Sequence, residues 1–208
     1  MNLLDNFINE CDIALKTLSF KKSGTGRSYP TNETSSSLSK KEKSLSAQLM
    51  RVNLAGEVAA QALYRGQAMV CKDAEIKKHL VQAGEEETDH LIWCKKRLEE
   101  LNGKPSILNP VWYAGSFAIG AIFGSFGEKT SLGFVEETEK QVVKHLEKHL
   151  DKVSKNDTET IEILKTMRAD EDEHAQEAIE NGSESLSEPT KKVMSFTAKV
   201  MTSSSAYI

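Results

Sequence analysis

Four stretches of the chain place apolar residues at three- and four-residue steps, and each carries a carboxylate inside its apolar stripe. Met50, Leu54, Glu57, Gln61 and Tyr64 share one face, and Leu80, Ala83, Glu87, His90, Cys94 and Leu98 another. Leu132, Val135, Glu139, Val142, Leu146 and Leu150 form a third, and Leu164, Met167, Glu171, His174 and Ala178 a fourth. Such steps mark the buried face of an α-helix. They predict helices over about 45–70, from behind Asp73 to about 101, over 131–150 and over 158–180. Asp73 suits an N-cap, Asn102-Gly103-Lys104-Pro105 and Asn181-Gly182 suit helix ends, and KNDTET breaks the chain between the last two. Each half is thus a helical hairpin whose short turn makes its helices antiparallel, and the fold expected is an all-α four-helix bundle.

Three other segments frame this core, expected at 47–208. Residues 1–20 read as an amphipathic helix with Leu3, Leu4, Phe7, Ile8, Cys11 and Leu15 as its apolar face. Residues 21–46, rich in Ser, Thr, Lys and Gly, have too little apolar content to fold and read as a flexible linker. Between the hairpins, residues 105–127 carry no charge, although Pro110 and four glycines interrupt them. The expectation is a helix from about Pro110 that packs on the bundle and dips one face into a membrane surface, with a buried core helix as the alternative and a true span the least favoured. Gly120 and Gly124 stand at a spacing that permits close helix packing.

The chemistry lies in a repeated phrase, a lone Glu followed by Glu-x-x-His. Glu57 precedes Glu87 and His90 with a Glu-to-Glu gap of 30 residues, and Glu139 precedes Glu171 and His174 with a gap of 32. The two halves are offset by 82 to 84 residues, as an internal duplication would leave them. Residues three apart lie about 60° apart around a helix, so each Glu and His of a pair point to one neighbour. One Glu from each of two helices and Glu-x-x-His from the other two is the ligand set of a two-metal site in a bundle core. Four core-facing carboxylates would cost several kcal/mol each if left charged and unpaired, and two divalent cations would balance them. Mixed carboxylate and imidazole ligation without thiolate suits iron or manganese rather than structural zinc.

Charge narrows the partners. A net charge of -4 offers no basic field to nucleic acid. Cys11, Cys71 and Cys94 lack metal-ligand spacing and cannot all pair, so they read as reduced thiols. The start, MNLLDNFINECDIAL, has the pattern of neither a signal nor a transit peptide, which suggests the cytoplasmic face of a bacterial inner membrane. Gly24-Thr25-Gly26 lacks the strand and helix of a dinucleotide site, so electrons must come from an external reductant or the substrate.

Several blocks in register resemble the demethoxyubiquinone hydroxylases of ubiquinone biosynthesis. They are RVNLAGEVAAQALYRGQA from Arg51, EETDH from Glu86, LNPVWYAGSFAIGA from Leu108, SLGFVEETEKQV from Ser131 and DEDEH from Asp170. The resemblance covers nearly the whole chain outside 21–46. It implies a ferritin-like bundle attached peripherally to the membrane, and two iron ions per subunit held by Glu57, Glu87, His90, Glu139, Glu171 and His174. Glu87 and Glu171 would bridge the metals. The activity implied is a monooxygenase reaction, in which O2 hydroxylates the ring of a polyprenyl demethoxyubiquinol to give a demethylubiquinol. The setting leaves room for a homo-oligomer or a biosynthetic complex. Two positions depart from the pattern: Leu54 stands where His is expected, one turn before Glu57, and Thr130 where Trp is frequent.

Around the ligands, Trp112 and Phe117 are candidates for substrate contact, with membrane or core anchoring the plainer reading. Asp170, one turn before His174, is a candidate to orient that imidazole, and Tyr64 and Arg51 are candidates for supporting or substrate contacts. His145 and His149 lie one turn apart, but His145 is about 120° round the helix from Glu139, so surface or supporting roles suit them better. Two other functions use parts of the pattern. A ferritin-like iron-handling protein would share the ligands without needing the uncharged segment, and a non-catalytic quinone-binding scaffold would keep the segment without needing the ligands.

Overall fold

The computed structural model describes residues 3–31 and 37–208, which contain helices and no strand. In chain order these are α1 (Leu3–Leu18), α2 (Lys40–Val70), α3 (Ala74–Glu100), α4 (Asn109–Ser125), α5 (Glu128–Leu150), α6 (Thr158–Glu180) and α7 (Glu188–Ser205). Local sequence accounts for the boundaries. The Asp73 carboxylate accepts from the backbone N–H groups of Glu75 and Ile76, and Asp157 caps α6 through Thr160 N–H. Asn102, at φ 58°, ends α3 as expected of Asn in the left-handed region, and Gly182, at φ 90°, ends α6.

The hairpins α2/α3 and α5/α6 form the four-helix bundle. Met50, Leu54, Val58, Leu91, Cys94, Leu98, Leu146, Ile163, Leu164 and Met167 fill its core. Leu54 is fully buried there, so an apolar contact occupies the position where the family resemblance suggests an imidazole. At one end the buried Arg97 guanidinium ties α3 to the start of α6, donating to Asp157 at 2.7 Å and to the Thr160 hydroxyl at 3.0 Å, and pairing with Glu159.

One expected boundary moves, and one helix is additional. Helix α2 starts at Lys40 rather than near 45, because Ser39 and Glu42 make a reciprocal capping box. The helix therefore extends into the stretch expected to be a linker. Helix α7 was not expected; its signals are Ser187, which accepts from Thr190 N–H, and Pro189 in the first turn. Only a narrow stripe of α7 meets the bundle, and Val193, Phe196 and Val200 are exposed.

Helix α1 packs Ala14 and Leu18 against the core. It is anchored by an ion pair between Glu10 and Arg65 and by the buried Thr17 hydroxyl, which donates to Gln61 at 3.0 Å. Those polar anchors leave Ile8, Cys11 and Leu15 exposed. The side chains of Leu3, Leu4 and Phe7 lie outside what is described.

Helix α4 lies along α2 at very short range. A Cβ at Gly66 would collide with the backbone at Phe117 and Ala121, and one at Gly120 with the backbone at Leu63. The outer side of α4 is apolar and exposed at Val111 and Ile122, as are Ile107 and Phe126 just beyond its ends. Among the described residues no helix is long and apolar enough to cross a membrane.

The glycine contact gives a direct stability test. Gly120→Val should cost about 1–3 kcal/mol by overpacking, lowering the thermal midpoint by about 2–4 °C per kcal/mol. Gly115→Ala, where a Cβ meets open space, should leave the midpoint unchanged or raise it slightly. Equal effects in the two variants would contradict the close packing of α4.

Candidate metal centre

The four apolar stripes converge so that Glu57 of α2, Glu87 and His90 of α3, Glu139 of α5, and Glu171 and His174 of α6 meet in the bundle interior. None of the six is more than 5% exposed. Donor atoms of Glu57, Glu87, His90 and Glu171 all lie within 4.8 Å of one another. His90 Nδ1 stands 3.1 Å from Glu87 Oε2, 3.2 Å from Glu171 Oε1 and 3.8 Å from Glu57 Oε2. On the other side His174 Nδ1 is 3.3 Å from Glu87 Oε1 and 3.5 Å from Glu171 Oε2. Glu87 and Glu171 therefore each turn one oxygen to each imidazole. Glu139 completes the second half, and the buried Tyr64 hydroxyl donates to its Oε1 at 2.7 Å.

The outer nitrogens are held by a crossed pair of carboxylates. Asp170 does not orient His174, the residue one turn on along its own helix; its Oδ2 lies 2.9 Å from Nε2 of His90 on α3. His174 Nε2 is instead held by Glu86 of α3 at 2.8 Å. Because α3 and α6 face each other, the acid before each Glu-x-x-His reaches the imidazole on the opposite helix. Both contacts leave Nδ1 of the ring directed inward and fix its orientation. Glu86 is a supporting residue that sequence reasoning missed, although the paired positions before Glu87 and Glu171 carried the signal.

The electrostatics reflect the gathering of buried carboxylates. Burial, with the neighbouring carboxylates, pushes Glu57 and Glu139 well above the ordinary carboxylate range. Burial alone would lower His90 and His174, yet the facing acids, Glu87 and Glu171 among them, hold both well above the usual imidazole value. Burial opposes ionisation of Glu87 too, but the two imidazoles keep it well below its ordinary value. Protons thus supply the positive charge that four buried carboxylates require. Among the described residues, Glu87 Oε1, Glu139 Oε2, Glu171 Oε2 and His174 Nδ1 are buried without a hydrogen bond. Four carboxylates, two imidazoles and these unmet acceptors fit a pair of oxygen- and nitrogen-loving divalent ions. Cys94 lies nearby, where burial raises its thiol well above the ordinary range and its Sγ donates to Met167 Sδ at 3.7 Å.

The remaining candidates lie elsewhere. Trp112 Nε1 donates to Ser205 Oγ at 3.0 Å, linking α4 to α7, and Phe117 packs against the apolar core. Arg51 donates to the carbonyls of Lys104 and Ala206 at 2.7 and 3.1 Å. His145 and His149 pair with each other, ring centroids 4.0 Å apart. His149 is buried rather than on the surface, and burial lowers the two to about 4 and about 3, so both are neutral at pH 7. Beside Glu139, between α2 and α5, lies a narrow cleft of about 10 Å³, lined in part by Ala60, Leu63, Tyr64, Phe134 and Val135. Phe123 of α4 lies against Phe134 at its edge, centroids 4.1 Å apart.

A family model described as ubiquinone biosynthesis protein COQ7 matches residues 44–205. A Legionella pneumophila protein named 3-demethoxyubiquinol 3-hydroxylase is 48% identical across 100% of this chain and 98% of its own length. Proteins of the same name from Francisella philomiragia and Nitrosococcus oceani are 48% and 47% identical, over 97% and 100% of this chain and 96% and 98% of their own lengths. Among solved structures, a dodecameric thioferritin, the bacterioferritin-related protein of Bacteroides fragilis, matches with TM-score 0.55 and 23% identity. That match covers 67% of this chain and 84% of the other and shows a shared ferritin-like fold.

Metal uptake should displace the protons that now occupy the centre. Ligation needs neutral imidazoles and ionised carboxylates, whereas His90, His174, Glu57 and Glu139 are all shifted toward their protonated forms. Titrating Fe(II) anaerobically into weakly buffered protein near pH 7 should therefore release protons, and affinity should fall as pH is lowered. Uptake without proton release would contradict this charge distribution.

Proposed function

The chain belongs to the COQ7 family of ubiquinone biosynthesis proteins, and we propose that its buried Glu/His cluster is the di-iron centre of a 3-demethoxyubiquinol 3-hydroxylase. The observation that carries this reading is that Glu57, Glu87, His90 and Glu171 bring donor atoms within 4.8 Å of one another, with Glu139 and His174 also buried, in a chain 46–48% identical along nearly its whole length to proteins of that name. The reaction is hydroxylation of the ring of a polyprenyl demethoxyubiquinol. One oxygen atom of O2 enters the ring and the other leaves as water, with two electrons from an external reductant and two protons.

Glu57 and His90 would hold one iron, Glu139 and His174 the other, with Glu87 and Glu171 shared. When bound, the pair supplies the redox couples through which O2 is reduced. The protein's own residues set the conditions. Asp170 and Glu86 hold the imidazoles in one orientation. Tyr64, which burial keeps protonated, donates to Glu139 and fixes that carboxylate beside the cleft. The main core closes one side of the cluster, while Leu80, Val135 and Ala178 line an opening of about 30 Å³ that reaches His174.

The side of the bundle between α2 and α5 is the approach for the quinol ring, and the narrow cleft there must widen to admit it. The cleft lies beside Phe123 of α4, whose helix exposes Val111 and Ile122. An exposed apolar face of this kind suits a membrane surface, from which the ring would enter while the polyprenyl tail stays among lipids. In this arrangement Trp112 and Phe117 serve as anchors of α4, and Leu63, Phe134 and Val135 are the contacts nearest the ring.

The test is the quinone profile of a bacterial strain lacking its own hydroxylase, complemented with the wild-type chain or with Glu171→Ala. Wild type should clear the demethoxyquinone. Glu171→Ala should lower product by more than about a hundredfold, beyond the 10–100-fold effects of residues that only support ligands. Clearance by both chains would contradict the role of the centre, and clearance by neither would contradict the substrate.

A further inference from the structure

Residues 24–29 precede the stretch matched by the family model, yet they are pinned across both Glu-x-x-His helices. Gly24 lies so close to α3 that a Cβ would collide with the Asp89 carboxylate. Thr25 donates to Asp89 Oδ2 from its backbone N–H at 3.2 Å and from its hydroxyl. Asp89 is buried and immediately precedes His90. Arg27 then reaches α6, its two terminal nitrogens donating to the two oxygens of Asp170 at 2.7 and 3.1 Å. The same guanidinium sits 5.0 Å over the ring of buried Trp93, which packs against the His90 ring with centroids 5.3 Å apart. Tyr29 closes the strap, donating to Glu100 at 3.2 Å beneath the Lys96 ammonium.

From this geometry, and resting on the di-iron reading above, we propose that Arg27 is a positioning residue of the metal centre. It acts through Asp170 to hold His90 with Nε2 hydrogen-bonded outward and Nδ1 free for an ion. A guanidinium suits the task because its fork engages both carboxylate oxygens while its planar face rests on an indole. The bidentate contact fixes the rotation of the Asp170 carboxylate, and with it the direction in which Oδ2 meets His90. Trp93 confines the guanidinium and the imidazole together, so both outer contacts of His90 depend on the strap. His174 is held by Glu86, which Arg27 meets only through charge and not through a hydrogen bond, so the main influence of Arg27 falls on one half of the centre.

The test is anaerobic titration of the full chain with Co(II), whose visible spectrum reports coordination, in wild type, Arg27→Ala, Arg27→Lys and Gly24→Ala. Wild type should take up two equivalents. Arg27→Ala should weaken one of them by about tenfold or more, with a changed spectrum at saturation and the other equivalent unaltered. Gly24→Ala, whose Cβ would collide with the Asp89 carboxylate that holds Thr25 while the guanidinium is kept, should do the same, and Arg27→Lys should recover part of the loss. Either single variant suffices if another fails to fold. Two equivalents with unchanged affinity and spectrum in the variants, or both weakened alike, would overturn the positioning role. No Co(II) uptake by the wild type would overturn the di-iron reading, and this role with it.

Discussion

Four carboxylates sit in the apolar interior of this bundle with only two imidazoles to answer them, and that imbalance governs the rest of the structure. Water cannot screen them at such burial, so positive charge must be supplied from within the cavity. Without metal, protons do so, which is why Glu57 and Glu139 are pushed up by burial while His90 and His174 are held protonated against it. Two divalent ions would meet the same need with fixed geometry. The bundle supplies the rigidity, since each ligand rises from a helix whose neighbouring turns are locked into the core by Leu54, Leu91, Leu146 or Met167.

Much of this was legible in the sequence because the physics is periodic. A Glu on an apolar stripe is an anomaly visible without structure, and four anomalies at matched spacings identify both the bundle and the centre of its core. Asp73, Asn102 and Gly182 mark helix ends by local preferences that act within a few residues. What escaped was set by contacts between distant residues. Nothing in the spacing of Asp170 and His174 reveals that His90, across the bundle, is the nearer imidazole. The low apolar content of residues 21–46 argued for a linker, but Thr25, Arg27 and Tyr29 are held by hydrogen bonds, an ion pair and cation-π contacts that hydropathy does not register. The capping box at Ser39 and the start of α7 at Ser187 were readable, and the weak apolar patterns that follow them hid both.

The exposed apolar residues belong to the same design. Helix α4 is bound tightly to α2 through glycines, so its outer side is carried rigidly beside the helix that bears Glu57 and Tyr64. An apolar surface there, next to a cleft that ends at Glu139, joins the place where a lipid-tailed ring would arrive to the place where it would react. The ferritin-like likeness speaks to the bundle alone, whereas under the proposed function the uncharged helix and its close packing would set the approach of the substrate.

Anomalous diffraction at the iron edge from crystals of the Fe(II)-loaded protein tests most directly whether the cluster is one shared two-metal centre. Two peaks about 3.5–4 Å apart should appear, one beside Glu57 and His90 and one beside Glu139 and His174, with Glu87 and Glu171 between them. A single peak, or iron bound away from these six residues, would contradict it.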